Sequence, residues 1–507
     1  MQTASIHYTP GDCALLIGPT ELLLKRLEAL RIASLRPALL CDDLPDPPPR
    51  GVRALAGHLA DVSGWMGAFS ARVVGAHGPL DLAPLSFHDD GHFDWVLDFS
   101  CAPAPGKGVA PLGYYTLAPD DFPALKRTLL EIAGRVREGF VKPKYFSFDA
   151  NLCAHTRQGV KGCSACLSAC AAGAITSEKD TVRIEPNLCQ GCGTCALVCP
   201  SGAVRYAQPA PSVSLARLHS DLAAWRESGG GATGLWISTE TATAEIPPGW
   251  LSYPVKEPAS LGLEFWLAAL VSGCDRVAIM AGDIPVVSRR ALDGQLALGR
   301  GILSALGFPF GLGLAENSAE LAALPAMSPR PPIDLAVGDD KRGLLYAALD
   351  ALIEQTRTPP ISIPLAAGPM GEVRIDADKC TLCTACVRIC PTEALSLPGT
   401  ILQLAFTEER CLQCGLCANV CPEKAVTLAP RLLTSRTARR TARVVAEAEP
   451  FACRECGKQF ATQAMIERSR AMMANHPMFQ GEQARLMTLC PDCRQKAMAG
   501  VPSSYLQ

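Results

Sequence analysis

A pattern of four closely spaced cysteines occurs four times in this chain of 507 residues. Three copies read C-x-x-C-x-x-C-x-x-x-C-P without deviation, and they begin at Cys189, Cys380 and Cys411. Thiolates are soft donors, and a tight turn can aim three of them at one metal centre. The repeat therefore requires the chain to build several small metal-holding loops.

The first copy, which begins at Cys153, departs from the pattern. Nine residues instead of two separate Cys153 from Cys163, and Cys170 is followed by Ala171 where the other copies have proline. The lead segment 148–152 nevertheless corresponds to 184–188 before the second copy. We therefore interpret Cys153 as a ligand.

The extra spacing is interpreted as a seven-residue insertion within Ala154–Lys161. The insertion carries the basic side chains of His155, Arg157 and Lys161. It could shield a metal centre, alter its reduction potential through positive charge, or contact a partner. It could equally be a neutral surface loop.

The repeat is wider than its cysteines. An extended lead precedes each first cysteine, and an alanine followed by a β-favouring residue stands at the same offset after each fourth one. Each unit thus predicts a strand, a ligand loop, a short helix and a strand. The units pair into two modules, at 146–207 and 369–430.

Both modules resemble bacterial ferredoxins with two [4Fe–4S] clusters, through the C-x-x-C-x-x-C-x-x-x-C-P runs quoted above. The resemblance implies iron–sulfur clusters and excludes zinc or disulfides for these sixteen cysteines. It also implies that the fourth cysteine of each run ligates the cluster of the neighbouring run. The implied ligand sets are Cys153, Cys163 and Cys166 with Cys199; Cys189, Cys192 and Cys195 with Cys170; Cys380, Cys383 and Cys386 with Cys421; and Cys411, Cys414 and Cys417 with Cys390.

Four more cysteines form two C-x-x-C knuckles near the C-terminus, Cys453 with Cys456 and Cys490 with Cys493. Four thiolates can close a tetrahedral zinc site, as in a zinc ribbon. A mononuclear iron site of the rubredoxin type and a site without metal are the alternatives. Arg436, Arg439, Arg440 and Arg443 precede the knuckles, and we expect a solvated linker or a protein-docking strip there.

The remaining chain predicts an α/β multidomain protein into which the two small α+β ferredoxin-like modules are inserted, with a zinc-ribbon-like segment at the end. The predicted domains are an α/β domain of unknown role at 1–145, the first module at 146–207, an α/β spacer or docking domain at 208–368, the second module at 369–430, and the zinc-ribbon-like segment at 431–507. The predicted strands are Ala14–Ile17, Pro37–Cys41, Phe93–Phe99, Leu235–Ser238, Arg276–Met280 and Ala442–Ala446. The predicted helices are Thr20–Leu30, Ala259–Ser272, Ser288–Leu306 and Thr462–Met473.

Composition argues against several classes of protein. A net charge of −2 gives no basic field for nucleic acid. The most apolar stretch, Leu261–Ser272, is too short to span a bilayer. The N-terminus lacks an export signal, and 20 of the 24 cysteines have metal-ligand spacing. We therefore expect a cytoplasmic protein without direct membrane insertion.

Evidence for other cofactors is weak. Gly18-Pro19-Thr20 stands where a dinucleotide-binding fold places its glycine loop, but G-x-G-x-x-G is absent, so flavin or nucleotide is unsupported. No catalytic constellation is evident. Cys13, Cys41, Cys101 and Cys274 are expected to be buried thiols. The segment 262–282 resembles the delta-subunit domain of viologen-reducing hydrogenases, which docks electron-carrying subunits.

These patterns predict a polyferredoxin-like electron-transfer protein with four [4Fe–4S] clusters and one zinc ion. The α/β spacer is expected to hold its two modules apart. We expect it to serve as an accessory subunit of a larger oxidoreductase, such as a formate dehydrogenase or hydrogenase-like complex. The alternatives are a flavin- or nucleotide-dependent oxidoreductase and an assembly or maturation factor for a redox enzyme.

Overall fold

The structure is a computed structural model that describes residues 4–75, 78–100, 108–308, 311–335, 338–399 and 402–499. It is a mixed α/β protein in which two cysteine-rich modules alternate with larger α/β regions. Cys101 lies outside the described residues. Among the described helices, none is long and apolar enough to cross a membrane.

The N-terminal region is built on a five-stranded parallel sheet with the order β4-β3-β2-β8-β9. Short antiparallel pairings of β1 with β10 and of β5, β6 and β7 surround it. Its elements are β1 (Ser5–Tyr8), β2 (Cys13–Gly18), α1 (Thr20–Arg26), β3 (Arg36–Cys41), β4 (Arg53–Ala56), β5 (Leu59–Ser63), β6 (Ser70–Val73), β7 (Leu80–Asp81), β8 (Trp95–Asp98), β9 (Tyr114–Thr116), α2 (Phe122–Glu138) and β10 (Phe140–Pro143).

The central strands β2 and β8 are buried along their whole length. Such strands must be apolar on both sides, because a parallel sheet is covered on both faces. Two separate hydrophobic clusters accordingly use alternate side chains of β2, with Leu16 on one face and Leu15 on the other. Helix α2 covers the first face with Leu125, Leu129 and Ile132.

The first cysteine module consists of two hairpins, two short helices and a closing pair of strands. Strand β11 pairs with β16, β12 with β13, and β14 with β15, all antiparallel. The elements are β11 (Phe146–Phe148), β12 (Thr156–Arg157), β13 (Val160–Lys161), α3 (Ala165–Ala169), β14 (Ile175–Glu178), β15 (Thr181–Ile184), α4 (Thr194–Val198) and β16 (Val204–Tyr206).

The middle region has a four-stranded parallel sheet with the order β18-β17-β19-β20. The apolar helix predicted over 259–272 is confirmed as α6, and eight of its nine residues are buried. The elements are α5 (Pro211–Glu227), β17 (Thr233–Thr239), β18 (Trp250–Val255), α6 (Leu263–Val271), β19 (Cys274–Ile279), α7 (Val286–Ala305), β20 (Leu312–Leu314), α8 (Ser318–Ala323) and α9 (Lys341–Glu354).

The second module shares strands with the segments on both sides of it. Strand β25 pairs with both β21 and β22 and crosses the predicted boundary at 430, while β26 pairs with β24. The elements are β21 (Ser362–Pro364), β22 (Gly371–Ile375), α10 (Ala385–Ile389), β23 (Leu395–Ser396), β24 (Gln403–Phe406), α11 (Leu416–Val420), β25 (Val426–Leu433), α12 (Arg436–Arg440) and β26 (Arg443–Glu447).

The chain ends in a small cysteine-bearing unit. A hairpin of β27 (Pro450–Ala452) and β28 (Gln459–Thr462) is followed by helices α13 (Gln463–Met473) and α14 (Pro491–Ala499). Short 3₁₀ helices occur throughout the chain, at Ala29–Ala33, Ala83–Leu85, Ala150–Leu152, Pro258–Ser260, Glu408–Arg410, Pro477–Phe479 and Gly481–Thr488.

The two cysteine modules contact each other. Asn419 Nδ2 in α11 donates a hydrogen bond of 2.8 Å to the backbone oxygen of Lys161 in β13. The expectation that the middle region holds the modules apart is therefore wrong. The middle region packs beside the junction, and Arg342 donates to the carbonyl oxygens of Pro200 in one module and Cys411 in the other.

The arginine-rich segment before the knuckles is partly internal, which corrects the expectation of a solvated linker or a protein-docking strip at Arg439. Arg439 is only 1% exposed and pairs with Asp350 on α9. It also donates to the carbonyl oxygens of Leu433 and Thr434. Arg440, its neighbour, is 52% exposed and pairs with Glu409 at 2.8 Å. The segment thus fastens the end of the second module to the middle region.

The two neighbouring arginines give a matched test of this internal ion pair. Arg439→Ala should lower the free energy of unfolding by roughly 3 kcal/mol, because it leaves buried Asp350 with only the half-exposed Arg436, at 3.4 Å, as a cationic partner. Arg440→Ala should cost about 1 kcal/mol or less, since half of the Arg440 side chain is exposed to solvent. Denaturant unfolding of the full-length chain measures both. Equal losses would contradict the structural role given to Arg439.

Candidate iron–sulfur and metal sites

The four cysteine runs occupy the same local structure in each unit. The third cysteine lies in the first turn of a five-residue helix, α3, α4, α10 or α11, and the fourth follows the helix directly. The third residue after each fourth cysteine has a left-handed backbone. These residues are Gly173, Gly202, Glu393 and Lys424. The repeat seen in sequence is therefore also a repeat of backbone conformation.

The ligand loops of the three regular units have left-handed residues between their cysteines. Turns of this kind direct successive backbone N–H groups to one side, forming the anion-binding nests found at many iron–sulfur sites. Leu382, Thr384 and Gln413 adopt this conformation although they have side chains, which costs roughly 1–3 kcal/mol each. The left-handed residues are Gly191, Gly193, Leu382, Thr384, Gln413 and Gly415.

The first unit lacks this conformation at both corresponding positions, Gly162 and Ser164. Ser164, which stands where the other units have Gly193, Thr384 and Gly415, has a φ of −127°. Its loop is shaped instead by the inserted hairpin of β12 and β13. The irregular cysteine spacing therefore has a structural counterpart.

Cys153, Cys163, Cys166 and Cys199 form the first group of thiols, which we call cage 1. Burial raises the pKa of Cys163 to about 11 and that of Cys166 to about 12. The negative charges of Cys153 and Cys199 raise both pKa values further. Cys199 comes from the second run, as the ferredoxin pattern requires.

Cys189, Cys192, Cys195 and Cys170 form cage 2. Burial raises the pKa of Cys189 to about 11 and also raises that of Cys195. The charges of Cys192 and Cys170 add to both increases. Here the fourth cysteine of the predicted set comes from the first run, as the ferredoxin pattern requires for a pair of cages.

Cys380, Cys383, Cys386 and Cys421 form cage 3, and all four line one enclosed, almost entirely apolar cavity. Burial raises the pKa of Cys386 to about 12, and the charges of the other three raise it further. A buried set of thiols around an apolar cavity fits an iron–sulfur cluster, which deprotonates its ligands.

Cys411, Cys414, Cys417 and Cys390 form cage 4. Burial raises the pKa of Cys414 to about 11, and the charges of Cys390 and Cys411 add to the increase. Burial also raises the pKa of Cys417, and the negative charges of Cys411, Cys414 and Cys390 raise it further. The thiol charges within each predicted set therefore influence one another, while the sets themselves and their ligation stay predictions.

Backbone N–H groups point at the sulfur of the fourth cysteine in three units. Ala174 donates to Cys170 Sγ at 3.2 Å, and Ala425 donates to Cys421 Sγ at 3.3 Å. Cys199 Sγ likewise accepts a hydrogen bond of 3.4 Å from Val204. Such bonds stabilise a thiolate and are one means of setting a cluster's potential.

Two segments of the chain match the family model of the 4Fe-4S dicluster domain, residues 161–203 and 379–425. The second match includes all eight cysteines of its module, and the first includes seven, since it begins after Cys153. No curated protein matches the chain. The two matches support an iron–sulfur electron-transfer protein with two ferredoxin-like dicluster regions.

The C-terminal cysteines form a separate, tighter group. The sulfurs of Cys453, Cys456, Cys490 and Cys493 all lie within 4.8 Å of one another. Cys456 Sγ and Cys490 Sγ are 3.7 Å apart. A tetrahedral zinc site with bonds of about 2.3 Å places its sulfurs about 3.8 Å apart, so this geometry fits a single metal ion.

This cysteine-bearing unit contacts the second module beside cage 3. Thr462 Oγ1 donates a buried hydrogen bond of 2.8 Å to the backbone oxygen of Thr381. Arg468 on α13 pairs with Glu423 at 3.0 Å. Both Thr381 and Glu423 line the cavity of cage 3. The unit therefore covers one side of that cage.

Cage 2 lies where the first module meets both larger regions. Lys142 Nζ donates to the carbonyl oxygens of Asn187 and Cys189, each at 2.8 Å. On the other side, Thr194 Oγ1 donates to Ser288 Oγ of α7 at 3.0 Å. Contacts with the larger regions thus fix the loop that carries Cys189 and Cys192.

The isolated cysteines are buried, as predicted for Cys13, Cys41 and Cys274. Sequence spacing did not indicate that Asp12, His88 and Asp94 approach one another closely enough to hold an ion. The Asp94 carboxylate already accepts from the backbone N–H groups of residues 11 and 13 and contacts His88. This group is thus explained by its role in tying the start of β2 to β8.

The role of Cys153 can be tested by its effect on bound iron. Cys153→Ala should remove one of the clusters, because it deletes a member of cage 1. Cys41→Ala is the control, since Cys41 is buried in β3 and belongs to no cage. Iron and acid-labile sulfide should fall in the first variant only. Unchanged iron in Cys153→Ala would show that another group serves in its place.

Proposed function

We propose that this chain holds four [4Fe–4S] clusters, one in each of cages 1 to 4, and acts as an electron-transfer protein. The observation that carries the proposal is the cavity of cage 3, which Cys380, Cys383 and Cys386 of one run line together with Cys421 of the next. We propose the same exchange of the fourth cysteine for the other cages, with Cys199 in cage 1, Cys170 in cage 2 and Cys390 in cage 4. This is the ligand arrangement of two-cluster ferredoxins.

When bound, such clusters supply one-electron chemistry with no bond made or broken in the protein. The chain contributes the thiolates, the N–H groups that point at them and the apolar surroundings. Burial raises the pKa of the free thiols, so they are held as thiolates only when a cation neutralises them. Cluster assembly and loop order should therefore depend on each other.

We further propose that the chain is an accessory subunit of a larger cytoplasmic oxidoreductase, such as a formate dehydrogenase or hydrogenase-like complex. Cysteines that stand at metal-ligand spacing and form no disulfides are typical of proteins in a reducing compartment. The larger α/β regions support this role, because they surround the modules and add external surface for docking. Nucleic acid is not proposed as a partner, since net charge is only −2.

The proposed function can be tested with electron carriers alone. The anaerobically prepared chain should be reduced by reduced methyl viologen and then reoxidised by an added one-electron acceptor. Both steps should proceed without any organic substrate, because the clusters are the only groups that the proposal requires. A chain that carries clusters but exchanges no electrons with either reagent would favour an assembly factor instead.

We propose zinc for the C-terminal site, because its four sulfurs have the spacing of a closed tetrahedral site. Cys456→Ser should release one zinc ion per chain and loosen the β27–β28 hairpin, leaving the iron content unchanged. Metal analysis together with hydrogen exchange over residues 450–462 measures both effects. Iron at this site, with the red colour of a rubredoxin centre, would contradict the assignment.

One observation favours a second candidate, a nucleotide- or flavin-dependent oxidoreductase. The N-terminal sheet has the strand order of a doubly wound dinucleotide-binding fold, with β2 and β8 adjacent where the order reverses. A cavity at their carboxyl ends is lined by Gly18, Asp42 and Asp98. Its carboxylates disfavour phosphate, so we rank this candidate second. Reduction of the clusters by NADH alone would favour it over a simple carrier.

A further inference from the structure

The insertion in the first cysteine run has a defined structure and a defined neighbour. Its centre is a hairpin in which β12 pairs with β13, joined by the two residues Gln158 and Gly159. Both turn residues have positive φ angles, of 50° and 75°. This is the type I′ geometry that suits a tight two-residue turn. The insertion is therefore an ordered element, which we call the 156–161 hairpin.

A buried histidine anchors the 156–161 hairpin to its own module. His155 Nδ1 donates to the carbonyl oxygen of Cys163 at 2.8 Å, which leaves Nε2 to accept from Ser177 Oγ at 2.8 Å. His155 is 8% exposed. The hairpin and the loop that carries Cys163 are thus fixed to one another.

The second strand of the hairpin, β13, contacts helix α11 of the second module. Asn419 Nδ2 donates to the carbonyl oxygen of Lys161 at 2.8 Å. A Cβ atom on Gly162 would lie only 2.7 Å from Leu416 Cγ, so the Leu416 side chain packs against the Gly162 backbone at a distance that favours glycine. Gly162 is the neighbour of Cys163 in the chain, and Leu416 is the neighbour of Cys417.

The contact brings two cages together across the module boundary. One cavity of about 290 Å³ is lined by Cys163 and Cys199 of cage 1 and by Cys414 of cage 4. Within each module the two short helices of the ligand loops pack together, α3 with α4 and α10 with α11.

We propose that the 156–161 hairpin docks the first module onto the second and holds cage 1 against cage 4. The four cages then form one series in the order 2, 1, 4, 3. Without this docking the chain would hold two separate pairs of cages, one pair in each module. The inference rests on the proposed function, since the series matters only if the cages hold clusters. It also explains why the first unit departs from the spacing of the others.

One change of charge at the junction, and the same change elsewhere on the first module, give a matched test. Asn419→Asp has nearly the same shape but turns a donor into an acceptor that faces the Lys161 carbonyl, so it should break the contact. Asn151→Asp makes the same change of charge at an exposed position of the first module. Neither substitution alters a cysteine, and both are made in the full-length chain.

Three readouts are compared after anaerobic preparation. Asn419→Asp should keep the wild-type iron and sulfide content and should show faster hydrogen exchange over residues 156–161. In dithionite-reduced protein it should lose the part of the EPR broadening that arises from magnetic coupling between modules. Asn151→Asp should match the wild type in all three measurements.

Several outcomes would overturn the inference. Faster exchange with unchanged EPR broadening would mean that the hairpin does not set the distance between cages. Loss of iron in Asn419→Asp would mean that the contact supports a single cage. If exchange is unchanged, a chain with Thr156–Val160 replaced by two glycines decides the question, and unchanged broadening there refutes docking. A wild-type chain without clusters would instead refute the proposed function.

Discussion

The crowding of sixteen cysteines, all of them buried or half-buried, into the ligand loops of two small modules is the constraint on which the rest of the structure depends. A conventional core would fill these positions with aliphatic side chains. Here cysteines are part of the hydrophobic clusters themselves, as Cys199 is in the first module and Cys411, Cys417 and Cys421 are in the second. Loops so short and so bent cannot bury enough apolar surface to hold themselves. Metal-bound thiolates are the interaction that can order them.

The larger α/β regions supply the apolar cores that the cysteine loops lack. They have extensive apolar cores, and they reach the modules through a few cationic side chains. Lys341 donates to the carbonyl oxygens of Ala196 and Leu197 at the end of α4, at 2.6 and 2.7 Å. Arg342, the next residue, donates to both modules. Because α9 carries both residues, this one helix contacts both modules beside their junction.

Glu408 gives a second example of how the modules are fastened. It is 2% exposed and accepts hydrogen bonds from Arg431 and Arg443, which lie in different strands. Burial would raise the pKa of Glu408, but the two arginines outweigh burial and lower it. A buried carboxylate with two cationic partners is held ionised, and it ties β25 and β26 to the loop before Cys411.

Sequence reasoning worked best where local pattern decides structure. The buried strands around Leu16, Leu39 and Ile237 were predicted because a continuous apolar run has few other solutions. The helix predicted over 20–30 is shorter than expected and ends at Arg26. Helix α2 was missed, although Asp121 caps it and its apolar residues recur at helical spacing.

What the sequence could not provide was the arrangement of distant parts. The grouping of cysteines followed from resemblance to ferredoxins, because local spacing does not show which fourth cysteine joins which run. The pairing of β26 with β24 and the burial of Arg439 depend on contacts far apart in sequence. The same is true of Asn419 and Lys161, which are 258 residues apart. A basic stretch read alone indicates a solvated surface, and only the position of Asp350 shows otherwise.

The central claim is most directly tested by counting iron and acid-labile sulfide in the anaerobically purified full-length chain. The account predicts about four iron–sulfur clusters per chain, each with about four irons and four sulfides. The wild-type chain should reach this count as purified, with no substitution at any position outside the four cages. A colourless preparation, or one that holds iron without sulfide, would contradict it.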